Sequence, residues 1–258
     1  TTSEDAGATW SVPTIVNMRK DHEQSLLVGP GRGMVTSKGR ILFTAYEFTG
    51  SDKNSVAIYS DDGGKTWERG KSVSGWSSEA VVTEADGKLY MFTRHGGYYT
   101  SDDFGETWST QKNMGISYWL NCQLTAITYP KKIDGKTAIL FATPSSSSGR
   151  AAGKIFVGLV QDDGTLDWKY NYSINGSAYY AYSCLTILPD GTIGLLYESD
   201  GTVITYEDFD IEDVAKGAAI GNIWCTDENG TVADVTMTSD MSKKLTVNGL
   251  KDGAKVEV

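Results

Sequence analysis

The sequence predicts an all-β protein, and more narrowly a β-propeller of four-stranded sheets set radially around an axis, with a β-sandwich as the alternative. Three observations lead there. Seven Trp and fourteen Tyr accompany 29 Gly and only five Pro in 258 residues, a balance that suits short strands and tight turns better than a helical bundle. An eight-residue pattern, S-x-D-x-G-x-T-W, occurs at 60–67 and 101–108 and in eroded form at 161–168. Turn dipeptides separate runs rich in β-branched and aromatic residues along most of the chain.

The elements follow in order. A strand is expected at 39–46, and a second at 55–59 feeds the first copy, Ser60-Asp61-Asp62-Gly63-Gly64-Lys65-Thr66-Trp67. Strands at 89–93 and 97–100 lead into the second copy, Ser101-Asp102-Asp103-Phe104-Gly105-Glu106-Thr107-Trp108. In each copy the Ser and Asp oxygens can accept backbone N–H bonds, Gly supplies a positive φ, and Trp anchors the turn in the core. Further strands are expected at 138–143, 154–160, 192–197 and 203–206, with turns at Asp86-Gly87, Asp134-Gly135, Asp190-Gly191 and Asp200-Gly201. Copies spaced 41 and about 60 residues apart fit repeating blades. Residues 209–217 suit a short helix, and the polar remainder, with an Asn248-Gly249 hairpin signal, reads as a linker and the start of another β module.

A formal net charge of −10 at pH 7 disfavours binding to nucleic acid or to anionic membrane surfaces. An acidic protein can still bind an acidic ligand through a local cluster of cations. Arginine is scarce enough to enumerate: Arg19, Arg32, Arg40, Arg69, Arg94 and Arg150. Cys122, Cys184 and Cys225 are odd in number and match no zinc or redox spacing, so they are expected in the core rather than in disulfides. His22 and His95 are the only histidines and have no companion at metal-ligand spacing, so no metal or cofactor is expected. No apolar run is long enough to span a bilayer, and the start, Thr1-Thr2-Ser3-Glu4-Asp5, shows no signal-peptide pattern. Without an initial Met the chain is expected to be processed or trimmed, which leaves secretion open.

Both copies of the repeat, together with Val28-Gly29-Pro30-Gly31-Arg32-Gly33, Ser78-Glu79-Ala80, Met91-Phe92-Thr93-Arg94, Ser148-Gly149-Arg150, Tyr180-Ala181-Tyr182-Ser183-Cys184-Leu185, Leu188-Pro189-Asp190-Gly191 and Gly194-Leu195-Leu196-Tyr197-Glu198, resemble the bacterial exo-sialidases in order and approximate spacing over residues 9–213. The resemblance identifies the repeats as aspartate boxes. It implies a six-bladed propeller, here partial with roughly four blades, in residues 1–213, and a C-terminal extension in 214–258. It also implies removal of terminal sialic acid from glycoconjugates by a secreted or cell-surface enzyme.

Sialic acid carries a carboxylate on its anomeric carbon, and guanidinium forks hold carboxylates bidentately at any relevant pH. By resemblance, Arg94 and Arg150 are the second and third members of a three-arginine clamp. A carboxylate nucleophile would meet like-charge repulsion at that carbon, and sialidases with a tyrosine nucleophile are a known exception to the two-carboxylate rule of glycosidases. Tyr182 matches that tyrosine and Glu79 its base partner. A phenol of pKa near 10 and a glutamate near 4.3 make complete proton transfer before attack cost about 8 kcal/mol, so transfer must accompany attack. Glu198 resembles the glutamate that orients the first clamp arginine. That arginine, normally within Arg-Ile-Pro, and the general-acid aspartate after it are expected in a missing N-terminal portion of the same propeller. Arg32 is expected at most to line the pocket, and its Gly-rich loop lacks the following lysine and helix of a phosphate loop. Glu84, in a Thr83-to-Gly87 turn, reads as a solvated surface acid. The alternatives to an enzyme are a sialic-acid-binding propeller without turnover and a purely structural propeller; within catalysis, hydrolysis and trans-sialidase transfer are both open.

Overall fold

The computed structural model describes residues 1–221 and, beyond them, the backbone of three short strands. The described chain is all-β, a partial propeller of four radial sheets, with one helical turn. The first sheet has the order β1-β3-β4-β5, from β1 (Ser25–Val28), β3 (Ile41–Phe48), β4 (Lys53–Ser60) and β5 (Glu68–Arg69), with β2 (Met34–Val35) added on β3. The second is β6-β7-β8, from β6 (Ala80–Ala85), β7 (Lys88–Thr93) and β8 (Tyr98–Ser101). The third runs β12-β11-β10-β9, from β9 (Thr125–Thr128), β10 (Ala138–Pro144), β11 (Gly153–Val160) and β12 (Leu166–Ser173). The fourth is β13-β14-β15, from β13 (Ser183–Ile187), β14 (Ile193–Glu198) and β15 (Ile204–Phe209), and α1 (Ile211–Val214) follows it. A further sheet, β17-β16-β18, comprises β16 (Trp224–Thr226), β17 (Val232–Ala233) and β18 (Thr246–Asn248). The expected turn at Asn248-Gly249 lies outside the described residues.

Every pairing within these sheets is antiparallel, as sequential meanders joined by short turns require. The Asp86-Gly87 turn closes β6 on β7 at the pair Ala85↔Lys88. Its two residues have φ of 49° and 76°, the double left-handed turn that matches strand twist. The repeats do the same work farther out. The Gly64 N–H donates to Ser60 Oγ at 2.8 Å, Ser60 Oγ donates to Asp62 Oδ1 at 2.8 Å, and Thr66 Oγ1 donates to Asp62 Oδ2 at 2.6 Å. The second copy repeats this around Ser101, Asp103, Gly105 and Thr107.

A third intact copy stands at Ser3-Glu4-Asp5-Ala6-Gly7-Ala8-Thr9-Trp10. It makes the same bonds: Gly7 N–H to Ser3 Oγ at 2.7 Å, Thr9 Oγ1 to Asp5 Oδ2 at 2.6 Å, and Trp10 Nε1 to the Gly7 carbonyl at 3.1 Å. Positions four and five are left-handed in all three copies, with φ of 56° and 90° at Ala6 and Gly7, 74° and 88° at Gly63 and Gly64, and 57° and 95° at Phe104 and Gly105.

The hydrophobic core lies between blades. Leu42, Ala57, Leu89 and Met91 fill the space between the first two sheets. Phe92, Phe141 and Phe156 lie between the second and third, with Trp168 packed against them. Leu140, Ile155, Leu185, Leu195 and Phe209 lie between the third and fourth, where Ile211, Val214 and Ala215 also pack. Side chains, not ladder bonds, join the inner strands: Thr44 Oγ1 donates to the Ala80 carbonyl at 2.7 Å, and the N–H groups of Thr128 and Leu185 donate to Thr83 and Thr125 hydroxyls at 3.0 and 3.1 Å. Edge backbone groups that a blade leaves unpaired are satisfied by the next blade.

Both ends of the arc expose apolar surface: Trp10, Leu27, Val28 and Val35 on one flank, and Leu196, Ile204 and Tyr206 on the other.

Candidate active site

Four loops at one end of the inner strands converge. Glu79 immediately precedes β6 and Arg94 immediately follows β7, so closing that hairpin brings them together, and the Arg94 N–H donates to the Glu79 carbonyl at 2.8 Å. Tyr182 precedes β13. Arg150 lies between β10 and β11, and the Tyr180 N–H donates to its carbonyl at 3.1 Å. Glu198 ends β14, where its N–H donates to the Tyr182 carbonyl at 3.0 Å and its carbonyl accepts from Ala181 at 3.1 Å.

The side chains meet as the backbone directs. Tyr182 Oη donates to Glu79 Oε1 at 2.7 Å. Arg94 Nη1 donates to Glu79 Oε2 at 2.8 Å and to Tyr182 Oη at 3.1 Å, closing a three-residue ring. Arg94 Nη2 donates to Asn121 Oδ1 at 2.6 Å, which fixes the plane of the guanidinium. The Arg150 guanidinium stands 5.2 Å from the centre of the Tyr182 ring, within cation–π range. Beneath them, the Cys122 thiol is pushed up to about 11 by burial, against the lowering effect of Arg150 and Arg94 and with the raising effect of Glu79 and Glu198.

Burial, the bond to Glu79 and the charge of Glu79 push the Tyr182 phenol up to about 12, while Arg94 and Arg150 work in the opposite direction. The phenol is therefore neutral near pH 7, with a carboxylate already accepting its proton. Backbone strain surrounds the same groups. Ser78, just before Glu79, has φ of 55°, and His95, just after Arg94, has φ of 73°. Such conformations cost on the order of 1–3 kcal/mol each and persist where surrounding contacts enforce them. Here the Ser78 N–H donates to the Lys53 carbonyl and Ser55 Oγ donates to the Ser78 carbonyl, both holding that strained residue.

All five expected residues, Glu79, Arg94, Arg150, Tyr182 and Glu198, are at this end, and the first four make direct side-chain contact. Arg32 does not join them; it lines a separate cavity of about 610 Å³ along the inner strands, with Val82, Thr83 and Thr186. Glu84 differs from its reading as a solvated turn acid. It belongs to β6, pairs with Leu89, and accepts the Ser37 N–H at 2.7 Å as well as the Ser37 hydroxyl. The hairpin turn starts two residues later, at Asp86. Two supporting residues carry no sequence signal. Asn121 holds Arg94, and buried Gln123 grips the residue after Tyr182 through both amide atoms, accepting the Ser183 N–H at 2.8 Å and donating to its carbonyl at 3.0 Å.

The BNR repeat-like domain family matches residues 1–195. The anhydrosialidase of Macrobdella decora is 36% identical over 253 residues, covering 85% of this chain and 33% of the relative. Sialidase B of Streptococcus pneumoniae is 35% identical over 242 residues, covering 84% of this chain and 34% of the relative. Among solved structures, the intramolecular trans-sialidase of Ruminococcus gnavus in complex with oseltamivir carboxylate superposes with a TM-score of 0.74 at 34% identity, covering 83% of this chain and 50% of that one. The chain spans about a third of the length of these curated relatives.

Proposed function

The chain belongs to the BNR repeat-like family and is a homologue of the sialidases, and from that premise we propose that it is part of a retaining exo-sialidase acting on sialylated glycans. The observation that carries the proposal is the ring of Tyr182, Glu79 and Arg94 at 2.7, 2.8 and 3.1 Å. Arg94 and Arg150 grip the substrate carboxylate. Tyr182 Oη attacks the anomeric carbon while its proton passes to Glu79, and the glycosidic C–O bond breaks. The leaving oxygen takes a proton from an aspartic acid on a missing N-terminal portion of the same propeller. Water then gives a proton to that aspartate as it attacks the anomeric carbon, and Tyr182 leaves as the phenol, regaining its proton from Glu79. With a phenol near 12, transfer in step with attack is far less costly than free phenolate. Glu198 supports the first clamp arginine, which comes from that same missing portion.

The third repeat turn supports such a partner. The strand before each of the other two intact turns ends on the first residue of the turn, Ser60 or Ser101. Trp67 and Trp108 are half-buried, whereas Trp10 is 64% exposed and Val12 and Ile15 are 85% and 92% exposed. A blade laid against this flank covers all three. The reading includes a propeller portion in 1–213 and an extension in 214–258, and export to the cell surface or medium. It involves no nucleic acid or membrane insertion; no helix among the described residues is long and apolar enough to cross a membrane.

A 2,3-difluorinated sialoside tests the proposal. With the chain joined to its upstream portion, labelling at Tyr182 by peptide mass mapping supports the enzyme, and binding without labelling supports a recognition module. Turnover without attack from Tyr182 overturns the mechanism. The likeness to an anhydrosialidase and an intramolecular trans-sialidase favours one second reading, in which a substrate hydroxyl, not water, releases Tyr182. Mass analysis separates the two, since that product is lighter than sialic acid by one water.

A further inference from the structure

Beside Arg94 stands an apolar ledge that the mechanism above does not use. Trp76 lies three residues before Glu79 in a loop left-handed at Gly75, Trp76 and Ser78, with φ of 95°, 61° and 55°. Its indole N–H donates to the Ser51 carbonyl at 2.8 Å, which fixes the ring while 46% of the residue stays exposed. The His95 ring stands 5.4 Å from it. The His95 N–H donates to the carbonyl of Leu120 at 2.9 Å, and Leu120 is 47% exposed. Gly96 completes the join, since a Cβ there would lie 3.3 Å from Leu120 Cδ2. From His95 and Leu120 the surface continues into a cleft of about 490 Å³ past Met114, Ile116 and Tyr118.

An exposed tryptophan held in a left-handed conformation is costly twice, in strain and in hydration, and it adjoins a charged site. Two features identify its occupant. The anomeric carbon that bears the clamped carboxylate also bears the leaving oxygen, so the leaving group is attached one atom away from the carboxylate that Arg94 grips. The rest of a glycan must also pass over an exposed rim to reach solvent. A pyranose presents axial C–H groups to a tryptophan face, where the ring quadrupole favours them.

We propose that the Trp76–His95–Leu120 ledge is the subsite for the sugar that carries the sialic acid, and that Trp76 sets the preference for glycans over simple sialosides. This rests on the reading of Arg94 as a carboxylate clamp. The test is calorimetric titration of the chain, alone and joined to its upstream portion, in a Tyr182→Phe background that suppresses turnover and counts as wild type for the ledge, with 3′-sialyllactose and with methyl α-sialoside. The wild type is expected to bind sialyllactose about threefold to tenfold more tightly, the factor that one aromatic contact supplies. Trp76→Ala should bring the two ligands within twofold of each other while leaving methyl sialoside unchanged, and Trp76→Phe, which keeps an aromatic face, should retain the preference. A preference that survives Trp76→Ala, or an equal weakening of both ligands, overturns the ledge while leaving the clamp intact. Failure of the wild type to bind either ligand in both forms overturns the clamp and the ledge with it.

Discussion

Tyr182 Oη and Glu79 Oε1 stand 2.7 Å apart although 103 residues separate them in the chain. Glu79 opens the inner strand of one blade and Tyr182 precedes the inner strand of another, so their meeting depends on the arc between. The charge of Glu79 raises the phenol's pKa and that of Arg94 lowers it. Opposite shifts are therefore expected on substitution. Glu79→Gln should bring the Tyr182 titration below its value of about 12, and Arg94→Gln should move it higher, read by ultraviolet difference titration against Tyr182→Phe. In the completed protein Glu79→Gln should also lower kcat by roughly 10²–10⁴.

Arg69 on β5 is buried between two carboxylates, with Glu23 Oε1 at 3.0 Å and Glu47 Oε2 at 2.6 Å. Glu23 is itself only 2% exposed. Arg69→Met leaves both acids buried without a counter-ion, and urea unfolding should show a loss of about 3–5 kcal/mol. Replacing all three together with Met and Leu should recover most of it, because breaking a buried pair costs more than removing it.

At the second repeat turn, burial works against the Asp103 charge, but the Thr107 hydroxyl and N–H and the Ser101 hydroxyl hold its carboxyl below the ordinary value. A carboxyl depressed in the folded state adds stability above its unfolded pKa, near 4, and loses it as pH falls through the folded value. Melting temperature should therefore fall as pH drops below about 4. Asp103→Asn should lower it at pH 7 and make that acid decline shallower; a parallel decline in the variant refutes this contribution.

Asp134 is left-handed with φ of 50° and ties its turn to two other segments: it accepts from Lys169 at 2.7 Å and from the Tyr170 hydroxyl on β12, and from the Ala219 N–H at 3.0 Å. Asn tolerates the same backbone but removes the charge. Asp134→Asn should leave the third sheet intact and speed hydrogen exchange at Ala219, measured against Leu140 as an unaffected core amide.

The turns were legible because in them the side chains are the structure: Ser, Asp, Gly and Thr satisfy one another within eight residues. The same rule applies to Ser3-Glu4-Asp5-Ala6-Gly7-Ala8-Thr9-Trp10, a full match with no strand-like run ahead of it to draw notice. β12 carries a strand signal too, since Leu166, Trp168, Tyr170 and Tyr172 alternate with exposed residues, and Trp168 belongs to that alternation as well as standing at the end of the eroded repeat. Expected helix residues 209–217 shrink to Ile211–Val214 because β15 extends to Phe209. The site is a different matter. No local pattern links Glu79 to Tyr182, and only the resemblance to the exo-sialidases assigns them to one site. Asn121 and Gln123 bear no pattern, since an amide's role depends on which backbone or guanidinium folds against it.

The inner edges of neighbouring blades meet through the hydroxyls of Thr44, Thr83 and Thr125, and among the described residues no continuous ladder runs from one blade to the next. The molecule thus has seams, closed mainly by packed side chains and hydroxyl bonds, with some backbone and ionic bonds between loops. Because the apolar core lies in these seams, parting them exposes it to water, so each blade's sheet depends on its neighbour for cover. Stability is thus held at the boundaries between blades more than within any one of them.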